Sequence, residues 1–155
     1  MKILLTGGAG FIGSNLVLFF LKQPNVESVR VMDNLATGHM SNLEEFLHNP
    51  KFSFLQGDIR ISADCEVAME NVDVVCHQAA LGSVPRSIAD PLASHNVNVN
   101  GFINILEAAR KAGVKRIVYA SSSSVYGDLM ESPKVETHVG KLLSPYAATK
   151  MTNEL

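Results

Sequence analysis

The chain opens Met1-Lys-Ile-Leu-Leu-Thr-Gly-Gly-Ala-Gly-Phe-Ile-Gly13, and that stretch decides the fold class. Ile3, Leu4 and Leu5 form an apolar run of the length of a buried strand. Gly7, Gly10 and Gly13 follow at a spacing of three, and Phe11, Ile12 and the apolar residues from Leu16 to Leu21 continue as a helix. A strand, a glycine-rich turn and a helix make a phosphate cradle. The glycines permit the tight turn, let backbone approach a diphosphate and let helix sit close to strand. The helix N-terminus adds N–H donors and the positive end of a dipole. A glycine-rich turn without a ligand reads the same over so short a stretch, so the rest of the chain has to decide.

Beyond Gly13, strand-like runs alternate with helical patterns. Strands are expected at Lys2–Thr6, Ser28–Met32, Phe52–Gln56, Val72–His77 and Arg116–Ser121, and helices at Ile12–Lys22, Asn42–His48, Ser62–Glu70 and Leu92–Ala112. Val97, Ile103, Leu106 and Ala109 are expected as the inner stripe of the last helix, with Asn98 and Asn100 capping it or bonding behind a site. Such alternation predicts an α/β fold, a doubly wound parallel sheet covered by helices. Ligands of such sheets sit beyond the carboxyl ends of the strands, so chemistry is expected at each strand end.

The second strand ends in Asp33-Asn34-Leu35, about twenty residues beyond Gly13, where an acidic side chain reaches the adenosine ribose hydroxyls. A carboxylate there repels a 2′-phosphate, which favours NAD over NADP. The third ends in Gly57-Asp58-Ile59, where an acid beside an apolar residue suits an adenine amine and its ring face, although Gly-Asp is equally a plain turn. The fourth ends in His77-Gln78-Ala79-Ala80-Leu81-Gly82-Ser83, with small residues that let a flat group lie on backbone, and with His77 read as a core residue. The fifth runs into Ser121-Ser122-Ser123-Ser124-Val125-Tyr126, which puts hydroxyls at the ligand edge. Further on, Ser144-Pro145-Tyr146-Ala147-Ala148-Thr149-Lys150 reads as a helix start, Ser144 capping and Pro145 in the first turn. Tyr146 and Lys150 then share a helical face. A free tyrosine titrates near pH ~10, and a neighbouring ammonium brings it toward a usable acid–base.

Bulk properties exclude other classes. At 155 residues, 46% hydrophobic and a net charge of −2, the chain suits one soluble domain with no basic patch for nucleic acid. Its five histidines are scattered, so no metal site is expected, and Cys65 and Cys76 read as buried thiols of a reducing compartment. The apolar run after Phe11 is too short to span a bilayer, which makes a cytoplasmic protein without a membrane partner the default.

Thr6–Gly13, Asp33–Leu35, Gly57–Ile59, Ser121–Gly127 and Tyr146–Lys150 together resemble the motifs of the extended short-chain dehydrogenase/reductase family, in particular its nucleotide-sugar epimerases. Ala80–Ser87 looks like the corresponding loop of bacterial UDP-N-acetylglucosamine 4-epimerases. The resemblance covers residues 1–155 and implies that they are the NAD-binding half, a Rossmann-type domain expected to be truncated after about five strands and to stand here without the sugar-nucleotide domain. It implies Gly7, Gly10, Phe11, Ile12 and Gly13 around the pyrophosphate, Asp33 and Asn34 at the ribose, and Asp58 and Ile59 at adenine. It implies Gln78, Ala79, Ala80 and Leu81 along the cofactor, with Gly82, Ser83, Ser122 and Ser123 toward a UDP-sugar. Ser122, Tyr146 and Lys150 would be catalytic, Tyr146 and Lys150 also meeting the cofactor, in a 4-epimerisation through a transient 4-keto sugar. Dehydratases of the family place Asp and Glu where this chain has Ser123 and Ser124, which disfavours a 4,6-dehydratase. The competing expectations are a truncated, non-catalytic NAD-binding module or another sugar-nucleotide short-chain dehydrogenase. The family pairs through helices matching 92–112 and 145–155, so a homodimer is expected as well.

Overall fold

The computed structural model describes residues 1–155 in full. Strands β1 (Lys2–Thr6), β2 (Ser28–Asp33), β3 (Phe52–Gln56), β4 (Val74–His77) and β5 (Arg116–Tyr119) alternate with helices. These are α1 (Phe11–Leu21), α2 (Ser62–Ala68), α3 (Val84–Ala89), α4 (Pro91–His95), α5 (Gly101–Ala112) and α6 (Pro145–Glu154). The chain divides into two compact units, Met1–Ala79 with Ile103–Ala120, and Ala80–Phe102 with Ser121–Leu155. No helix is long and apolar enough to cross a membrane.

The first unit carries the expected parallel sheet, in the order β3-β2-β1-β4-β5. Leu4 stands beside Arg30 on β2 and Val75 on β4, and Leu5 beside Val31 and Cys76. Ile3 and Leu5 point to a core cluster with Val17, Val29, Val31, Leu43 and Phe46, while Leu4, on the other face, is also fully buried. Both faces of β1 are therefore covered, which explains why its sequence is an unbroken apolar run rather than an alternating one. The chain builds outward from β1 to β2 and β3, then returns to add β4 on the other side. The gap between the ends of β1 and β4 is the switch point of the sheet.

Two expected helices of this fold differ. Asn42–His48 is not a helix but part of two short 3-10 turns, Met40–Asn42 and Glu44–Phe46. Seven residues ending near Pro50 are too few to offset the cost of helix nucleation. The segment is instead pinned by the Ala9 carbonyl, which accepts from the His39 N–H at 3.0 Å and the Asn42 amide at 2.8 Å. The expected Leu92–Ala112 helix is three pieces: α4, a π turn at Asn96–Asn100, and α5. Its buried apolar residues are Val99, Phe102, Ile105, Ala108 and Ala109; Ala109 is internal as expected, while Ile103 and Leu106 are exposed, each one position after a buried residue. At helical spacing Ile103 and Leu106 lie on either side of Arg110, at the polar margin of an apolar arc centred on Phe102, Ile105 and Ala109.

In the second unit, α3 lies outside the expected elements, although its signals are present. Ser83 accepts the Arg86 N–H at 3.2 Å as N-cap and Pro85 sits in the first turn. Asp90 repeats the device for α4, accepting the Ala93 N–H at 2.9 Å ahead of Pro91. Helix α6 starts as expected, Ser144 accepting the Ala147 N–H at 3.1 Å.

The join between β1 and α1 depends on missing side chains. Gly7 has φ +71°, and a Cβ there would meet the Ala79 nitrogen at 2.7 Å. A Cβ on Gly13 would lie 2.2 Å from the Gly7 oxygen and 2.6 Å from the Gly8 Cα. No flexible atom is available to yield. Gly13→Ala is expected to destabilise the protein by about 3 kcal/mol in urea unfolding; a midpoint equal to wild type would show that the turn can open.

Candidate active site

The first unit builds a cradle at the end of β1. Helix α1 begins without any side-chain cap, and Phe11 and Ile12 stand 83% and 63% exposed at its start. The N–H groups of the first helical turn are unpaired by helix geometry and point out of the N-terminus. A Cβ on Gly10 would touch only the Gly7 oxygen, at an ordinary 3.4 Å. The protein's own packing therefore leaves space at Gly10, and an anionic group can come close to backbone there.

Asp33, at the end of β2, fastens this cradle. Its Oδ2 accepts the Ala9 N–H at 2.9 Å and its Oδ1 the Leu35 N–H at 2.8 Å. The second bond holds Leu35 at φ +60°, a left-handed conformation that costs a leucine about 1 kcal/mol. Asn34 accepts the Ala36 N–H through its Oδ1 and donates its amide to Asp58 Oδ2 at 2.9 Å. The Asp58 carboxylate is crowded with donors. Oδ1 accepts the Arg60 backbone N–H at 2.9 Å, and Oδ2 accepts Arg60 Nη2 at 2.6 Å. These hydrogen bonds, the Arg60 guanidinium first, hold the Asp58 carboxyl down at about 2 against the opposing effect of burial. Ile59, beside it, is buried, and its carbonyl accepts the Asn104 amide at 2.9 Å. At the end of β4, the Ala79 N–H donates to Thr6 Oγ1 at 3.2 Å, and Thr6 Oγ1 shares a 2.7 Å hydrogen bond with His77 Nδ1. His77 is thus a buried partner of the core, as expected. Gln78 donates its own N–H to the Thr6 carbonyl.

The second unit holds the tyrosine and lysine. Tyr146 occupies the first turn of α6 and is partly exposed, whereas Lys150, one turn later, is only 4% exposed. Burial pushes the Lys150 ammonium below its ordinary value. The Tyr146 N–H donates at 3.0 Å to Ser87 Oγ, which itself donates to the Val84 carbonyl at 2.8 Å. Thr149 Oγ1 donates to the Tyr146 carbonyl at 2.8 Å and accepts the Asn98 amide at 3.1 Å. Asn98, 2% exposed, also pairs with both backbone groups of Leu81, accepting its N–H at 2.8 Å and donating to its carbonyl at 3.2 Å. One buried asparagine thus joins the Leu81 loop to the helix of Tyr146. Ser122 is extended and caps a 3-10 turn at Ser123–Tyr126.

The family model described as the NAD dependent epimerase/dehydratase family matches residues 3–155. The chain belongs to that family. It is 40% identical over 158 residues to the UDP-glucose 4-epimerase of Mycolicibacterium smegmatis, covering 100% of this chain and 50% of the relative. Among solved structures it resembles the UDP-glucose 4-epimerase of Thermus thermophilus in complex with NAD, with 39% identity and a TM-score of 0.88. That match covers 99% of this chain and 49% of the other. It also resembles the UDP-N-acetylglucosamine 4-epimerase of Methanobrevibacter ruminantium M1 in complex with UDP-N-acetylmuramic acid, with 35% identity and a TM-score of 0.90. There the coverage is 99% and 48%. The chain spans about half the length of the relatives it matches.

Within this epimerase/dehydratase chain, the structure brings Gly7, Gly10, Phe11, Ile12, Gly13, Asp33, Asn34, Asp58, Ile59, Gln78 and Ala79 into one unit. Ala80, Leu81, Gly82, Ser83, Ser122, Ser123, Tyr146 and Lys150 lie in the other. Ser83 is engaged as the cap of α3, and a side chain at Gly82 would meet nothing within 4 Å. No group of three or more His, Cys, Asp or Glu side chains could hold a metal. Cys65 and Cys76 are buried free thiols, Cys65 pushed up to about 12 by burial first and neighbouring carboxylates second. Residues not singled out from sequence are Ser87, Thr149 and Arg60. Ser87 is signalled only by its place in the first helix after Ser83, and Thr149 by its position three residues after Tyr146.

The depressed Asp58 carboxyl has a consequence for stability. A carboxyl lower in the folded state than unfolded stabilises the fold above its ordinary value of 3.8, and that contribution is lost as pH falls toward about 2. In urea unfolding between pH 4 and pH 2, Asp58→Asn is expected to lose less stability than wild type. Identical slopes would show that the Arg60 pair does not form in solution.

Proposed function

We propose that residues 1–155 are the NAD-binding half of a nucleotide-sugar 4-epimerase that acts on UDP-sugars of the UDP-N-acetylglucosamine/UDP-N-acetylgalactosamine class, through a transient 4-keto sugar. The observation that carries the reading is Lys150, a lysine sunk to 4% exposure one helical turn after Tyr146, in a chain of the epimerase/dehydratase family. Ser123 and Ser124 favour epimerisation over dehydration, since neither can protonate a departing sugar 6-hydroxyl. The Ala80–Ser87 loop and the likeness to an N-acetylglucosamine epimerase support the N-acetylated class.

NAD fits the cradle: the space at Gly10 and the open N-terminus of α1 suit its pyrophosphate, and Asp33 its adenosine ribose. When bound, it supplies a hydride acceptor and donor for C4 of the sugar. The chain's own residues handle the proton. Tyr146 takes it from the sugar 4-hydroxyl as the C4–O bond becomes a carbonyl, and returns it to the same oxygen when the other epimer forms. Lys150 holds positive charge that favours the phenolate. Ser122 donates a hydrogen bond to the sugar oxygen, which is most negative midway. Proton and hydride both return, so the reaction needs no outside oxidant. Such an enzyme supplies sugar nucleotides for polysaccharide biosynthesis in the cytoplasm.

In the protein carrying this chain, Tyr146→Phe is expected to lower epimerisation of UDP-N-acetylglucosamine by about 100- to 10,000-fold; a variant as active as wild type would overturn the mechanism. We also infer a homodimer through the segments 92–112 and 145–155. Leu92 is 75% exposed beside a groove of about 270 Å³ lined by Leu92, His95, Val99, Ala148 and Thr152, an apolar surface suited to a second copy. Leu92→Glu is expected to convert dimer to monomer in light scattering, and an unchanged mass would place the interface elsewhere.

A further inference from the structure

Ser122 and Ser124 are linked twice. Ser122 Oγ accepts the Ser124 backbone N–H at 3.2 Å and the Ser124 hydroxyl at 2.8 Å. A serine hydroxyl has one proton and two lone pairs. Both lone pairs of Ser122 are therefore engaged by one residue, and the hydroxyl keeps only its proton to offer. The link is also rigid at both ends. Ser122 caps the 3-10 turn in an extended conformation, φ −154° and ψ 144°, and Val125 in the same turn is 4% exposed.

We propose that Ser124 is a positioning residue that makes Ser122 an obligate hydrogen-bond donor to the sugar 4-oxygen. The inference rests on the epimerase reading above and adds to it a residue that acts through Ser122. The chemistry asks for such a device. Before reaction the sugar 4-oxygen carries a proton, and Ser122 could accept it in competition with Tyr146. Midway the same oxygen is electron-rich and needs a donor. A serine whose lone pairs are already filled cannot compete for the proton and is pre-aimed to donate, without reorganising as charge develops. Donation from Ser124 also polarises the Ser122 O–H and makes it a better donor. Ser124 transfers nothing: its proton and that of Ser122 stay where they are, and the only mobile proton passes between the sugar oxygen and Tyr146.

Ser124→Ala removes the hydroxyl and keeps the backbone N–H, so the cap on the turn persists. It is expected to lower kcat for UDP-N-acetylglucosamine or UDP-glucose about five- to tenfold, the worth of one hydrogen bond, with KM within about twofold. Ser124→Thr is expected to restore the rate. In a Ser122→Ala background, Ser124→Ala should cost nothing further, because its target is gone. A wild-type kcat in Ser124→Ala overturns the assignment, as does a full multiplicative loss in the double variant. So does a loss that Thr does not rescue and that follows Tm. Ser122→Ala and Tyr146→Phe are assayed alongside. If both are crippled and Ser124→Ala is not, only the role of Ser124 falls. If they remain active, the epimerase reading falls and takes this role with it.

Discussion

The carbonyl of Gly7 lies where a side chain on residue 13 would have to be, 2.2 Å from the ideal Cβ position. That contact governs the first unit. Because α1 can close onto the end of β1 only through a glycine, the helix N-terminus is held at the carboxyl edge of the sheet. β1 is the centre of that sheet, paired with β2 and β4 and buried on both faces. The apolar burial that stabilises the sheet and the backbone crowding that shapes the cradle thus meet at one turn. Gly10, three residues before Gly13, has no such neighbour, since a Cβ there would meet only the Gly7 oxygen at 3.4 Å.

The second unit solves a different problem, keeping an ionisable helix face fixed. Lys150 is buried, and burial disfavours its charge. Around it the backbone of α6 is tied at Tyr146 from both ends, its N–H by Ser87 and its carbonyl by Thr149. Asn98 connects that arrangement to Leu81 with three hydrogen bonds, and it does so from a π turn. A π turn carries one more residue than an α turn, and such insertions are frequent at functional sites. Here it separates α4 from α5 and carries the buried Asn98.

Much of this was legible in the chain. The five strands fall within two residues of their expected ends, since parallel strands buried on both faces leave continuous apolar runs. Ser144 and Pro145 announced α6, and Asp33 announced a carboxylate at the end of β2. The misses have physical causes. Asn42–His48 looked helical, but bonds from Ala9, more than thirty residues away, draw it into 3-10 turns. Ile103 and Leu106 looked internal, but they flank Arg110 at the margin of the apolar arc, and Phe102 and Ile105 take the inner place. At Asp58 the sequence does not announce that Arg60, two residues on, folds back onto the carboxylate.

The sequence by itself determined the parallel sheet, its order of elements, the glycine turn and the pairing of Tyr146 with Lys150 on one face. These are set by spacing along the chain, where composition and periodicity act directly. Only the tertiary structure decided which oxygen each distant donor meets and which backbones close on each other: that Asp33 accepts the Ala9 N–H, that Asn98 joins Leu81 to Thr149, and that Gly7 packs against the backbone of Ala79. Hydrogen-bond partners and steric clearances are properties of atoms brought together across the chain, and no local pattern of residues encodes them.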